Sequence, residues 1–289
     1  VMDGNLHLTF PVTILPPLSN KPPREPVVFI PGGPGATSYD DIADVARYRR
    51  LRERRSVVMV DARGSGFADP SLTCEANFES LVECRVAFDM RGLDLDAFST
   101  DRLVDDIESV RLALGIRRWL VWGSSYGSKV ALLYGKRHPQ ATLRMLLELP
   151  YPPQGGLFVE EMGHRLDAVA VLDRECRRQR SCWRQYGDLK RLYADAILGA
   201  QQDPLTIEAA GKSQILDGVA LFSLIAELQF DTRMLPELPA AIAAAARRDS
   251  PRLADIVSRF RALDSADEEG QRGLAVGLNL SIECPEKLA

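Results

Sequence analysis

Apolar positions in the first half of the chain fall in short unbroken runs rather than in strict alternation. Val27-Val-Phe-Ile30, Val57-Val-Met-Val60, Trp119-Leu-Val-Trp122 and Leu143-Arg-Met-Leu-Leu-Glu-Leu149 all have this form. Such runs suit strands buried on both faces of a mainly parallel sheet. Between them the spacing turns helical. Asp101 to Leu114 places apolar residues at 103, 104, 107, 110 and 114 and stops at Gly115, a residue suited to a helix C-terminus. Tyr126 to Arg137 predicts a second helix that ends before Pro139, because the residue preceding a proline is pushed out of the helical region. Strand–helix alternation of this kind predicts an α/β fold with crossover helices. Leu6 to Leu15 alternates enough for a preceding antiparallel edge strand.

After Pro150-Tyr-Pro-Pro153 the pattern changes. Residues 155–280 read as helical almost throughout, Ala- and Arg-rich, with breaks at Asp203-Pro204, Pro236, Pro239 and Ser250-Pro251. No strand signal there matches the earlier ones, so a helical insertion or lid on the sheet is expected. The resulting division is 1–153 for the first part of an α/β core, 154–280 for a helical cap, and 281–289 for the start of a return to the core.

Composition narrows the class. The 289 residues are 46% hydrophobic and 26% charged, with a net charge of -4, as in an ordinary soluble globular protein. Nothing in that balance argues for nucleic-acid binding. The Arg-rich stretches Arg47 to Arg55 and Arg174 to Arg180 are interleaved with acidic and apolar residues, which reads as solvated helix faces. No run of 18 apolar residues predicts a membrane span, and the opening residues contain no apolar h-region of a signal peptide. Five cysteines stand at 74, 84, 176, 182 and 284. Cys74–Cys84 and Cys176–Cys182 lie in loop-like or helix-end sequence where bridges can close. Cys284 is then a free thiol or half of a bridge to a partner not shown, and reduced thiols throughout are the alternative.

The chemistry concentrates at Trp119-Leu-Val-Trp-Gly-Ser-Ser125-Tyr-Gly-Ser-Lys129, an apolar strand running into Gly-x-Ser-x-Gly and then a helix. A serine on such a strand-to-helix turn has its hydroxyl lifted clear of the backbone, and the new helix aims N–H groups at whatever the serine attacks. Pro31-Gly-Gly-Pro-Gly35 directly follows another apolar strand. Consecutive glycines let backbone N–H groups approach a ligand, which an oxyanion hole requires: one donor from this loop, one from the residue after the serine, Tyr126. Taken alone, either motif also reads as a plain turn. Asp61-Ala-Arg-Gly-Ser-Gly66 follows a strand but leads into Asp69-Pro70 rather than a helix, so it fails as a dinucleotide fingerprint. Gly211-Lys-Ser213 fails as a phosphate loop because position 206 is Thr. No metal or organic cofactor is expected.

Together these motifs resemble the α/β-hydrolase superfamily, and within it the proline iminopeptidase and tripeptidyl-aminopeptidase-like branch of serine peptidases. The resemblance runs from GGPG and D-x-R-G-x-G through G-x-S-Y-G, Arg137-His138-Pro139 and Leu149 to Pro153, to Ser281-Ile-Glu-Cys284. It implies a mainly parallel sheet with helices on both faces and a helical cap. It further implies that Ser125 is the acyl-forming nucleophile, that the N–H groups of Gly33 and Tyr126 form the oxyanion hole, and that Asp61 and Arg63 brace loops near the site. The cysteine pattern is similar to that of secreted bacterial members, so a secreted or periplasmic location is expected.

The family pattern puts the triad acid and histidine on loops after the last two core strands, beyond the cap. The sequence ends at Ala289, where those strands are expected to begin. It is therefore expected to be the N-terminal two-thirds of a longer enzyme, the rest removed, unseen, or supplied as a separate C-terminal chain. His7, His138 and His164 fit the base poorly; surface or satisfied polar roles are expected for all three. The implied activity is an aminopeptidase acting on peptides, or alternatively an esterase or other acyl hydrolase on a small acyl substrate; a third reading is an inactive chain that binds without turnover. An aminopeptidase needs an anion for the substrate ammonium, for which Glu283, Glu227 and Glu208 are candidates, Glu283 foremost.

Overall fold

The computed structural model describes residues 2–3, 6–38, 48–74, 78–153, 157–268 and 274–288. The chain divides into two compact units, Val1–Gly156 with Gln271–Ala289, and Leu157–Gly270. Residues 274–280, read from the sequence as cap, fall in the first unit.

Strands β1 (Met2–Asp3) and β2 (Leu6–His7) form a short antiparallel pair. Strands β3 (Val12–Leu15), β4 (Val27–Ile30), β5 (Val57–Val60), β6 (Trp119–Ser124) and β7 (Thr142–Glu148) form one sheet in the order β3-β5-β4-β6-β7. β3 is antiparallel to β5 and the other pairings are parallel. Helices α1 (Phe78–Met90), α2 (Thr100–Ala113) and α3 (Tyr126–Arg137) lie between strands of this unit. The second unit contains α4 (Leu157–Arg178), α5 (Arg180–Tyr186), α6 (Leu189–Gln202), strands β8 (Leu205–Ala209) and β9 (Lys212–Leu216), then α7 (Gly218–Phe230), α8 (Leu238–Ala246) and α9 (Ser250–Glu268). α10 (Val276–Leu288) belongs to the first unit again.

Successive strand residues face opposite ways, and the sheet builds a core on each face. Val28, Ile30, Val58, Val60, Trp119 and Val121 pack with Phe88 of α1, Ile107 of α2, Val130 of α3 and Leu278 of α10. Val27, Phe29, Val57, Met59 and Trp122 pack with Tyr48 on the other face. There Phe29 meets Trp122 edge-on at 4.9 Å and Tyr48 at 5.9 Å. Among the described residues the helices cover the first face, while Tyr48 and the 3-10 turn Leu51–Glu53 serve the second. β4 and β5 are buried at every position, as their unbroken apolar runs predict. β7 differs: among the described residues it pairs with β6 alone, and Met145 and Leu146 are exposed.

Helix limits follow from local chemistry. The Ser99 hydroxyl accepts a hydrogen bond from the Arg102 N–H at the start of α2, and Gly115 adopts a positive φ of 65° just past its end. Of the Arg47 to Arg55 stretch, Arg47 lies outside the described residues, while Arg49 and Arg50 are exposed as expected. Arg52, Arg54 and Arg55 donate to the carbonyls of Pro16, Pro22 and Glu25, tying down the segment between β3 and β4. Asp61 and Arg63, just after β5, are both buried. Arg63 forms a bidentate pair with Asp106 of α2, both bonds 2.7 Å, and donates to the Ala97 carbonyl at 2.8 Å.

Both expected disulfides are present, Cys74–Cys84 and Cys176–Cys182, and Cys284 is a free thiol. Cys84 lies within α1 rather than in a loop. In the second unit the expectation of helix almost throughout is corrected by the antiparallel hairpin β8–β9. Leu205, Ile207 and Ala209 point inward while Thr206 and Glu208 point out, and Ala210-Gly211 supplies two positive-φ turn residues, the geometry a tight hairpin requires. No helix among the described residues is long and apolar enough to cross a membrane.

Candidate active site

Strand order places the site. From β4 the chain crosses to β5 on one side, then returns past β4 to β6 and on to β7. Loops leaving the C-terminal ends of β4 and β6 therefore run in opposite directions, and the crevice between them is where open α/β sheets bind ligands. The parallel register aligns Ile30 with Gly123. The two glycine-containing motifs, distant in sequence, thus begin side by side.

Ser125 occupies the turn between β6 and α3 with φ 53° and ψ -121°, a conformation costly for a non-glycine residue and held only where its surroundings enforce it. The enforcement is visible. The Ser125 N–H donates to the Glu148 carbonyl at 2.9 Å, and the Ser125 carbonyl accepts from the Ser128 N–H at 2.9 Å and the Ser128 hydroxyl at 2.6 Å. The Ser128 hydroxyl in turn accepts from the Tyr151 N–H at 2.7 Å. A side chain at Gly123 would strike the Gly127 carbonyl, and one at Gly127 would strike the Ile30 carbonyl. Both glycines are thus required by close backbone approach. Gly127→Ala is expected to unseat the turn and lower stability by about 2 kcal/mol or more; urea unfolding of the purified variant checks it, and an unchanged midpoint contradicts it.

Serine at a helix N-cap ordinarily accepts a hydrogen bond from the first turn. Ser125 makes no such cap bond, so its hydroxyl is not committed to the helix. The Pro31–Gly35 loop passes directly beside it: a Cβ built on Gly32 would lie 3.1 Å from the Ser125 Cβ and 3.6 Å from its Oγ. Gly33 has φ +110°, and a Cβ there would fall 2.5 Å from the Gly35 nitrogen. The Tyr126 N–H, in the first turn of α3, has no helical carbonyl four residues back to accept it. A hydroxyl, a glycine loop and a helix N-terminus therefore meet at one point.

Asp61 fastens the far side of the loop. Its carboxylate accepts from the Thr37 hydroxyl and the Ser38 N–H, both at 2.7 Å. Arg63 lies behind it, committed to Asp106. Tyr126 is 2% exposed, and its hydroxyl shares a 2.8 Å hydrogen bond with Thr100 Oγ1 at the start of α2. Burial pushes the Tyr126 phenol well above the ordinary tyrosine range, with the Thr100 hydrogen bond opposing the shift, so the ring stays neutral.

The remaining candidates are dispersed. His138 caps the opposite end of α3, 3.8 Å from Glu108, which at 1.5 Å per residue is about 20 Å from Ser125. His7 is an exposed residue of β2, and His164 lies on α4 in the other unit. Glu208 and Glu227 also belong to that unit, the first on the outer side of β8, the second paired with Arg261 at 3.0 Å. Glu283 is buried on α10. Three residues later stands Glu286, which sequence reasoning passed over. It accepts from the Thr100 N–H at 2.9 Å, Thr100 Oγ1 at 2.6 Å and Lys129 Nζ at 2.6 Å.

The family described as alpha/beta hydrolase fold matches residues 25–170, from the approach to β4 into α4. The chain belongs to the α/β-hydrolase fold family. Within it, the sequence is similar to proline iminopeptidases. It is 34% identical to that of Xylella fastidiosa over 129 residues, which is 44% of this chain and 32% of that protein. It is equally identical to that of Arabidopsis thaliana over 147 residues, 50% of this chain and 31% of the relative. The matched stretch thus spans about a third of the length of these curated relatives. Among solved structures, the proline iminopeptidase of Mycobacterium smegmatis aligns with TM-score 0.43 and 16% identity, over 84% of this chain and 65% of that one.

Proposed function

We propose that this chain carries the nucleophile and oxyanion hole of a serine aminopeptidase that releases N-terminal residues or short peptides. The observation that carries the reading is the strained turn at Ser125 set against the Gly32–Gly33 loop at the switch point of the sheet. The Ser125 hydroxyl attacks the scissile carbonyl, and the N–H groups of Gly33 and Tyr126 receive the oxyanion of the tetrahedral intermediate. The amine leaves with a proton, and water then releases the acyl group from Ser125. Proton transfer requires a histidine oriented by an acid. His138 is too remote to be that histidine; on the resemblance to proline iminopeptidases we assign the pair to residues outside this chain, continuous with it or on a separate chain. The similarity to proline iminopeptidases supports peptides with a free N-terminus as substrates. The two disulfides support a secreted or periplasmic location.

An esterase uses the same serine and the same donors, so substrates separate the two. The protein carrying this chain is expected to hydrolyse an aminoacyl arylamide with a free α-amine and to leave its N-acylated analogue intact. Equal hydrolysis of the two, or turnover of aryl esters alone, contradicts the aminopeptidase reading.

A further inference from the structure

α10 touches both halves of the proposed oxyanion hole. At its N-terminal end the Ala275 N–H donates to the Gly35 carbonyl at 3.1 Å, and Asn279 Nδ2 donates to the Pro34 carbonyl at 3.2 Å. Leu274 and Ala275 also lie against Gly33 and Gly35. Nearly two helical turns further on, Glu286 grips the other half. One carboxylate oxygen takes the Thr100 N–H; the other takes the Thr100 hydroxyl and Lys129 Nζ. Thr100 Oγ1 reaches the hydroxyl of Tyr126, and Lys129 stands one turn along α3 from that residue. A carboxylate bridging the N-terminus of α2 to α3 is favourable electrostatically, since it meets the positive end of the α2 dipole and a lysine ammonium together.

We propose that Asn279 and Glu286 are positioning residues that set the separation and aim of the Gly33 and Tyr126 N–H groups. Asn279 acts through the Pro34 carbonyl; Glu286 acts through Thr100 and Lys129. Neither touches substrate. The inference rests on the oxyanion-hole reading above and adds the two residues that align it. Donors misplaced by a fraction of an ångström hold the ground-state carbonyl almost as well but serve the transition state poorly, so the loss falls on kcat rather than KM.

The test compares Glu286→Gln, Asn279→Ala, Thr100→Val and the conservative Thr100→Ser in the full protein, with a free-amine aminoacyl arylamide and an amine-free aryl ester as substrates. For the first three variants kcat is expected to fall on the order of 10- to 100-fold on both substrates, with KM within about twofold. Thr100→Ser, which keeps the hydroxyl, is expected to retain most of kcat. An unchanged kcat for Glu286→Gln overturns the proposal. So does a rise in KM confined to the free-amine substrate, which marks Glu286 as an ammonium ligand instead. If the unaltered protein turns over neither substrate, the functional reading fails, and amide hydrogen exchange of the peptide spanning Gly123 to Lys129 decides the positioning role separately. Faster exchange there in Glu286→Gln but not in Thr100→Ser supports it; identical exchange in all variants overturns it.

Discussion

Ser125→Ala is expected to reduce hydrolysis of any substrate of this protein by about three orders of magnitude or more, with stability unchanged. The two effects have one source. A serine at φ 53° and ψ -121° is strained, and strain of this kind costs on the order of 1–3 kcal/mol and persists where function needs it. Alanine adopts that conformation no more readily, but it removes a hydroxyl that makes no capping bond to α3, so no folding contact of the cap is lost. Catalysis through an acyl-enzyme ends with the hydroxyl, and what remains comes from the oxyanion donors and binding alone. Steady-state kinetics and urea unfolding of the same preparation check both halves. Retained activity assigns the chemistry to another residue.

Asp106→Ala is expected to produce the largest loss of stability, about 3–5 kcal/mol. Arg63 and Asp106 are 3% and 1% exposed, and the carboxylate receives two guanidinium bonds of 2.7 Å. Removing it takes a doubly hydrogen-bonded counter-charge from an arginine buried from water. The Arg63 bond to the Ala97 carbonyl is neutral on the acceptor side and does not replace the lost negative charge. Asp106→Asn keeps an acceptor and is expected to fall between. The shift is read as a lower urea midpoint at constant slope. Because Arg63 lies two residues beyond Asp61, which holds Thr37 and Ser38 behind the glycine loop, partial loss of activity accompanies the loss of stability.

Much of this was legible in the sequence where one physical requirement dominates. Valine-rich runs at 27–30 and 57–60 fit only strands with both faces covered, and the structure buries every residue of both. The glycines at 123 and 127 announce backbone contact, and each has a carbonyl where a side chain would stand. The Leu143 to Leu149 run reads as a strand in the same way, and Thr142–Glu148 pairs in parallel with β6. The β8–β9 hairpin did leave a signal. Leu205, Ile207 and Ala209 alternate with polar residues before Ala210-Gly211, but the Ala- and Arg-rich surroundings outweighed five residues of period two. Glu283 and Glu286 are separated by less than one helical turn, and only the direction α10 takes decides that Glu286 reaches Thr100 and Lys129 while Glu283 is buried.

The most direct test of the central claim is to treat the active protein with a fluorophosphonate and locate the adduct by peptide mass spectrometry. A single phosphonyl group on Ser125, formed as activity disappears and slowed by substrate, is the predicted result. Full inactivation with Ser125 unmodified, or an adduct on a different serine, would contradict the account.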